Sequence, residues 1–177
     1  MIIAFTSSSK ESTMLAAAVA ELVRAGDLIL LAGDLGAGKT TFAQGFGAAL
    51  GVTERITSPT FMLVSRYEGR LELNHLDVYR LDQVEEVLDL GLAEMLDEGG
   101  VTLIEWGDTI IPVLPADYLE VRLRLGEGDD DRVFEIQMVG PRWSARSRAL
   151  ITVLRPWLGE AAEMPQVQDR PGGRWPE

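Results

Sequence analysis

The stretch Gly33-Asp34-Leu35-Gly36-Ala37-Gly38-Lys39-Thr40 decides the fold class, because it fits the pattern G-x-x-x-x-G-K-S/T. The apolar run LILL at 28–31 precedes it and is typical of a strand that is buried on both faces. A helix is expected after it, from about residue 39 to residue 50, with Gly51 at its end. A glycine-rich turn between such a strand and helix lets successive backbone N–H groups point at one anion. The sequence therefore predicts a phosphate-binding loop.

Lys39 and Thr40, the last two residues of this motif, suit a nucleoside triphosphate. Lysine is a compact point charge for the β- and γ-phosphates, and the positive end of the following helix adds to it. The hydroxyl of Thr40 falls where Mg²⁺ would be held. Only two of the 16 basic residues are lysines, and about 0.002 matches to the motif are expected by chance in this composition. The alternative is a glycine-rich turn that binds no ligand.

The rest of the chain alternates strand and helix patterns, which indicates an α/β sheet that is parallel at its centre. Strands are expected at 2–5, 28–31, 101–104, 118–125 and 133–139, with a hairpin formed by 61–67 and 71–76. Helices are expected from a capping box at Ser8 and Glu11 to Gly26, and at 39–50, 82–96 and 144–154. We predict a three-layer α/β fold of the P-loop NTPase type, with antiparallel hairpins added to a central parallel sheet. Residues 1–158 would form one domain, and the proline-rich residues 159–177 a flexible tail.

Two carboxylates downstream are candidates for the acidic group that P-loop enzymes place beside magnesium. Glu105 directly follows the apolar strand at 101–104. A carboxylate at the carboxyl end of a buried strand points into the crevice where open α/β sheets bind ligands. The other candidate is Asp77, in the segment NHLDVYR at 74–80. The alternative for Glu105 is a strand-end carboxylate in solvent.

Four further features are open between structural and functional roles. Trp106 is either an aromatic residue of the core or rim, or it lies beside the nucleotide site or a partner surface. His75, the only histidine, is expected to be a structural hydrogen-bonding residue beside Asp77 rather than a proton carrier. Arg80 either stabilises charge like an arginine finger or forms a surface salt bridge with the acidic helix. The segment SPTF at 58–61 is either a sensor of the γ-phosphate or a proline-containing turn.

The composition is that of a soluble globular protein and excludes several other classes. Of 177 residues, 46% are apolar and 25% are charged. The chain has no cysteine, which excludes disulfides, thiolate metal sites and cysteine nucleophiles. No apolar run reaches the roughly 18 residues of a membrane span. Because no signal peptide is visible either, a cytoplasmic location is expected.

The charge is strongly negative and unevenly distributed. A net charge of −12 argues against a protein that holds nucleic acid through its overall field. The segment 82–98 is acidic without a basic residue, whereas 142–157 contains four arginines and no acidic residue. These segments are either solvated helix faces or docking surfaces of opposite sign.

Four motifs, in this order and at this spacing, resemble the bacterial TsaE family, also called YjeE. They are GDLGAGKTT at 33–41, SPTF at 58–61, HLDVYRL at 75–81 and IEW at 104–106. The resemblance covers about residues 6–140, and the four motifs together are specific although each of the last three alone is weak. TsaE proteins are the small ATPases of the machinery that makes threonylcarbamoyladenosine on tRNA.

The resemblance implies roles that spacing alone does not show. ATP would be bound through six consecutive loop and helix residues and one aromatic residue: Gly36, Ala37, Gly38, Lys39, Thr40, Thr41 and Trp106. Thr40 and Glu105 would hold Mg²⁺, and Glu105 and Asp77 would be the catalytic carboxylates. The segment 7–11 would come close to the base.

The resemblance also implies partners. The protein would act on the complex of two actin-like proteins, TsaD and TsaB, and would meet tRNA only through that complex, without membrane contact. Two alternatives use the same loop. A small-molecule kinase would need an arginine-bearing lid, for which Arg66, Arg70 and Arg80 are available although no long lid insertion is visible. A nucleotide-gated assembly factor would bind without turnover, and only Glu105 and Asp77 speak against it.

Overall fold

A mixed sheet of seven strands carries the fold. The computed structural model describes residues 1–80 and 91–159. The strands are β1 (Ile2–Thr6), β2 (Leu28–Ala32), β3 (Val64–Tyr67), β4 (Leu73–Asp77), β5 (Val101–Glu105), β6 (Tyr118–Leu125) and β7 (Arg132–Val139). Their order is β1-β7-β6-β2-β5-β4-β3. β6, β2, β5 and β4 are parallel neighbours, and both edges are antiparallel. The predicted α/β fold with a parallel centre and antiparallel hairpins is confirmed.

Helices cover both faces of this sheet and give the predicted three layers. They are α1 (Ser9–Ala20), α2 (Lys39–Ala49), α3 (Leu92–Asp97), α4 (Pro141–Ser144) and α5 (Ser147–Leu154), with 3-10 segments at Gly107–Val113 and Arg155–Trp157. Alternate residues of β2 enter two separate apolar clusters, because successive strand side chains point to opposite faces. Ile29 and Leu31 pack with α1, α2 and α5, whereas Leu28 and Leu30 pack with α3 and the first 3-10 segment.

Three boundaries differ from the prediction. α1 ends at Ala20 rather than near Gly26, because the Asp27 carboxylate accepts the Arg24 N–H at 2.8 Å and closes a turn there. β3 begins at Val64 rather than at residue 61, because residues 59–63 form a turn in which Leu63 takes a left-handed φ of 64°. The helix expected over 144–154 begins later, at Ser147 (α5), and a separate short helix, α4, precedes it. Of the helix expected at 82–96, only the part from Gly91 lies within the described residues, and the expected tail lies outside them beyond Gly159.

The arginine-rich segment is attached internally. Arg146, 8% exposed, donates through Nη1 and Nη2 to the two carboxylate oxygens of buried Asp27, at 2.5 and 2.8 Å. Its guanidinium also lies 4.0 Å from the ring centre of Trp143. Arg142 donates to the carbonyls of Ala25 and Gly26, at 3.0 and 3.2 Å. Two of the four arginines therefore fasten the last helices to the turn before β2, Arg146 from a buried position and Arg142 from a half-exposed one.

Candidate functional site

The phosphate loop spans residues 33–38, between the carboxyl end of β2 and the start of α2. Gly33 has a φ of 131°, and a Cβ at this position would lie 2.3 Å from the Leu123 carbonyl oxygen of β6. Gly38 caps α2 with a φ of 106°, a conformation that L side chains rarely adopt. Glycine is therefore required at both ends of the loop, once for close approach to a strand and once for the turn into the helix.

Lys39 is almost buried in front of the loop. Its Nζ donates to the carbonyl oxygens of Gly33 at 2.7 Å and Asp34 at 2.9 Å, and it lies 3.7 Å above the ring centre of Trp106. Burial lowers the pKa of the Lys39 ammonium below its usual 10.5, and the charge of Glu105 partly opposes this shift. Two carbonyl oxygens of the loop and the face of the Trp106 ring therefore hold the Lys39 ammonium at the mouth of the loop.

Thr40 and Glu105 meet directly across the site. The Thr40 hydroxyl donates to both carboxylate oxygens of Glu105, at 3.1 and 3.3 Å. Glu105 is the last residue of β5, 3% exposed, and its Oε1 also lies 2.9 Å from Nε2 of His75. A strand end and a helix start therefore bring together the hydroxyl and the carboxylate that the sequence analysis singled out.

Asp77 lies at the end of the neighbouring strand β4, in register with Glu105. Its Oδ2 accepts the hydroxyls of Ser58 at 2.7 Å and Thr60 at 2.6 Å, and its Oδ1 accepts the Tyr79 N–H at 3.0 Å. The segment SPTF is therefore a turn whose two hydroxyls are fixed to the second candidate carboxylate. Sequence reasoning did not foresee this link, because it joins residues 17 and 19 positions apart.

Trp106 follows Glu105 with a backbone that is rare for an aromatic residue. Its φ is 62°, in the left-handed region, and such strain persists only where the surroundings enforce it. The conformation turns the half-buried ring between the Lys39 ammonium and Tyr79, whose ring centre is 4.8 Å away. Trp106 therefore lies beside the phosphate loop, which is where a role at the nucleotide site requires it.

Arg132, at the start of β7, is a site residue that the sequence analysis missed. It donates through Nε to the carbonyl of Ala37 at 2.9 Å, and through Nη1 to the carbonyls of Asp129 and Asp131 at 2.9 and 2.7 Å. It therefore ties the β6–β7 hairpin to the phosphate loop. No local signal marks it, because its partner in the loop is 95 residues away.

Other candidates are placed differently. The guanidinium of Arg80 lies 4.3 Å above the ring of exposed Phe61, and residues 82–90 of the acidic helix expected to pair with it lie outside the described residues. Thr41 lies half-buried in the first turn of α2. A cleft of about 520 Å³ opens beside the loop, lined by the segment around Ser7 and Glu11, the hairpin turn and Arg132.

The residues present fit a magnesium–nucleotide ligand. Among residues 1–80 and 91–159, no group of three or more His, Cys, Asp or Glu side chains could hold a metal ion alone. One hydroxyl and one carboxylate are instead the oxygen donors that Mg²⁺ takes when phosphate oxygens and water complete its shell. A Cβ at Gly36 would meet nothing within 4 Å, so the loop faces open space at this residue.

A parallel strand, a glycine loop that carries lysine, and a helix whose threonine meets a strand-end carboxylate define a P-loop NTPase fold. The family model described as "Threonylcarbamoyl adenosine biosynthesis protein TsaE" matches residues 6–134. The chain belongs to the TsaE family.

Relatives support this assignment across most of the chain. It is 41% identical over 139 residues to the tRNA threonylcarbamoyladenosine biosynthesis protein TsaE of Bacillus subtilis, covering 78% of this chain and 86% of the relative. It is 48% identical over 127 residues to the protein of the same name from Nostoc, covering 68% and 76%. A crystal structure of Bacillus subtilis YdiB superposes with a TM-score of 0.74 and 35% identity, covering 85% of this chain and 94% of that one.

Proposed function

We propose that the protein binds ATP with Mg²⁺ and hydrolyses ATP in the service of threonylcarbamoyladenosine modification of tRNA. The contact of Thr40 with buried Glu105, next to Lys39 at the start of α2, carries this proposal. It supports turnover rather than binding alone, because a carboxylate next to the metal-side hydroxyl is what P-loop enzymes use beside the reacting phosphate.

The side chains at the site have separable tasks in this proposal. The N–H groups of the loop, with the positive end of α2, would bind the phosphate oxygens. Lys39 would turn its ammonium from the Gly33 and Asp34 carbonyls to the β- and γ-phosphates. Thr40 and Glu105 would hold Mg²⁺, which supplies neutralisation of the charge on the phosphoryl group. Asp77 would orient the hydroxyls of the SPTF turn, and the cleft beside Ser7 would take the base.

The kinase alternative loses support from the positions of its three arginines. Arg66 pairs with Glu98 at 3.0 Å, Arg70 donates to the Ala20 carbonyl, and Arg80 lies on Phe61. Of these, the first two are engaged away from the phosphate loop.

We therefore propose partner-dependent hydrolysis on the TsaD–TsaB complex, with tRNA met through that complex, in the cytoplasm. No helix among the described residues is long and apolar enough to cross a membrane.

The proposal is tested by measuring ATP turnover of the protein alone, with TsaD and TsaB, and with both plus tRNA. We expect turnover to rise with the partners. An ATP turnover rate that does not change when TsaD and TsaB are added would refute the proposed role. ATP-dependent phosphorylation of a metabolite would favour a kinase.

Two variants test the site itself. Lys39→Ala should abolish nucleotide binding in calorimetry, whereas Arg148→Ala, which removes an exposed cation from α5, should leave it unchanged. Glu105→Ala should retain binding and lose turnover. Unchanged affinity in the first variant, or preserved hydrolysis in the second, would contradict the assigned roles.

A further inference from the structure

His75 is a buried titratable side chain for which the proposed mechanism has no task. It lies in β4 and is fully buried. The structural hydrogen bond expected of it is present, since its Nε2 lies 2.9 Å from Oε1 of Glu105. The side chain therefore reaches across the parallel β4–β5 pair to the carboxylate of the proposed metal site.

The second ring nitrogen decides where the proton of the imidazole lies. Nδ1 is buried and has no hydrogen-bond partner among the residues that the structure describes. A proton on Nδ1 would leave a buried N–H unsatisfied, which is unfavourable, and would set the Nε2 lone pair against the carboxylate. A proton on Nε2 avoids both problems, so His75 donates to Glu105.

We propose that His75 is a positioning residue for Glu105, fixing the direction of its carboxylate toward the nucleotide. Oε1 accepts from both His75 and Thr40, at 2.9 and 3.1 Å. Among the described residues, Oε2 accepts only the longer hydrogen bond from Thr40, at 3.3 Å, and so keeps lone pairs for a ligand. Outer donors that orient a ligating group in this way matter almost as much as the ligand itself. The inference rests on the proposed role of Glu105.

The protonation pattern can be read directly, because His75 is the only histidine of the chain. Protein made without a histidine tag and labelled with ¹⁵N in histidine gives imidazole signals from one ring. We expect a protonated Nε2 and a bare Nδ1 in a single tautomer, with this pattern lost in Glu105→Ala. A proton on Nδ1, or averaging between the two tautomers in the unchanged protein, would overturn the inference.

Kinetics of matched variants give a second test. Glutamine places an N–H close to the position of Nε2, whereas leucine fills the space without a donor. We expect His75→Leu to lower kcat about 10–100-fold, with KM for ATP within about threefold of the unchanged protein. His75→Gln should restore most of kcat. Equal kcat values in the two variants would contradict a positioning role. A higher KM for ATP with an unchanged kcat would contradict it as well.

The two tests separate this inference from the proposed function. If the unchanged protein shows no ATP turnover with its partners, the proposed function fails, and the NMR pattern still decides the His75 bond. If turnover is present and His75→Leu retains its rate, the inference alone fails. Melting temperatures of all variants are compared first. If His75→Leu does not fold, the NMR pattern and the His75→Gln rate decide.

Discussion

Replacing Asp27 by asparagine tests the buried attachment of the last two helices. Asp27 is 2% exposed and accepts two hydrogen bonds from Arg146, which is 8% exposed. The substitution leaves the guanidinium buried without its counter-charge, and removing one partner of a buried pair costs about 3–5 kcal/mol. The amide oxygen can still accept the Arg24 N–H, so we expect about 3 kcal/mol. For a domain of this size that lowers Tm by about 6–12 °C.

Thermal and urea unfolding measure this loss. The matched control is Glu135→Gln, which removes the partner of Arg124 in a pair at 2.8 Å whose arginine is 61% exposed. Screening by water limits the contribution of such a surface pair to less than about 1 kcal/mol. The double variant of Asp27→Asn with Arg146→Gln should be less destabilised than the sum of the two single variants.

A small effect would refute the reasoning. If Asp27→Asn loses no more than the surface control, the Asp27–Arg146 pair does not fasten the helices. Arg146 would then be a cation available to a partner, as the docking-surface reading of segment 142–157 holds. A stability loss of the expected size, with unchanged partner binding, would assign this arginine to the fold.

Three other substitutions probe the phosphate loop and the helix α2 that follows it. Arg132→Met removes a charge-assisted hydrogen bond to Ala37 of about 1.5 kcal/mol, so we expect calorimetry to show about tenfold weaker nucleotide binding; an unchanged Kd would contradict the tether. Since burial lowers the pKa of Lys39 below 10.5, the unfolded state binds more protons in the alkaline range. The stability of the unchanged protein relative to Lys39→Met, from urea unfolding, should therefore rise as pH approaches 10.5, and equal pH slopes would contradict this. Gly45→Ala places a Cβ 2.3 Å from the Thr13 carbonyl oxygen, and an unchanged Tm would contradict the expected loss of about 1–3 kcal/mol.

The parts of the site that sequence reasoning found are those set by local pattern. Lys39 and Thr40 belong to one motif, and Glu105 ends an apolar run. Parallel strands end at the same edge of a sheet, so the predicted fold already implied that Glu105 would lie near the loop. The burial of β2 on both faces was likewise readable from four consecutive apolar residues.

The parts that were missed depend on partners far away in the chain. The hydrogen bonds of Ser58 and Thr60 form only because β4 places Asp77 beside their turn. His75 was expected to form a structural hydrogen bond, but its partner Glu105 was not foreseen because it lies on the adjacent strand, 30 residues away. Arg132 lacks a motif altogether. Tertiary contacts of this kind leave no periodicity in a single sequence.

The strand order constrains how the chain is assembled during synthesis. β1 leaves the ribosome before the other strands of the described sheet, yet its strand partner there is β7, with Ile2 opposite Ile136. β2 similarly waits for β5 and β6 before either of its edges is paired. Large loops must close before such long-range strand pairs form, and the entropic cost of closing them precedes the favourable free energy of the new contacts. A nascent chain should therefore not complete a nucleotide site until β7, with Arg132 at its start, has emerged.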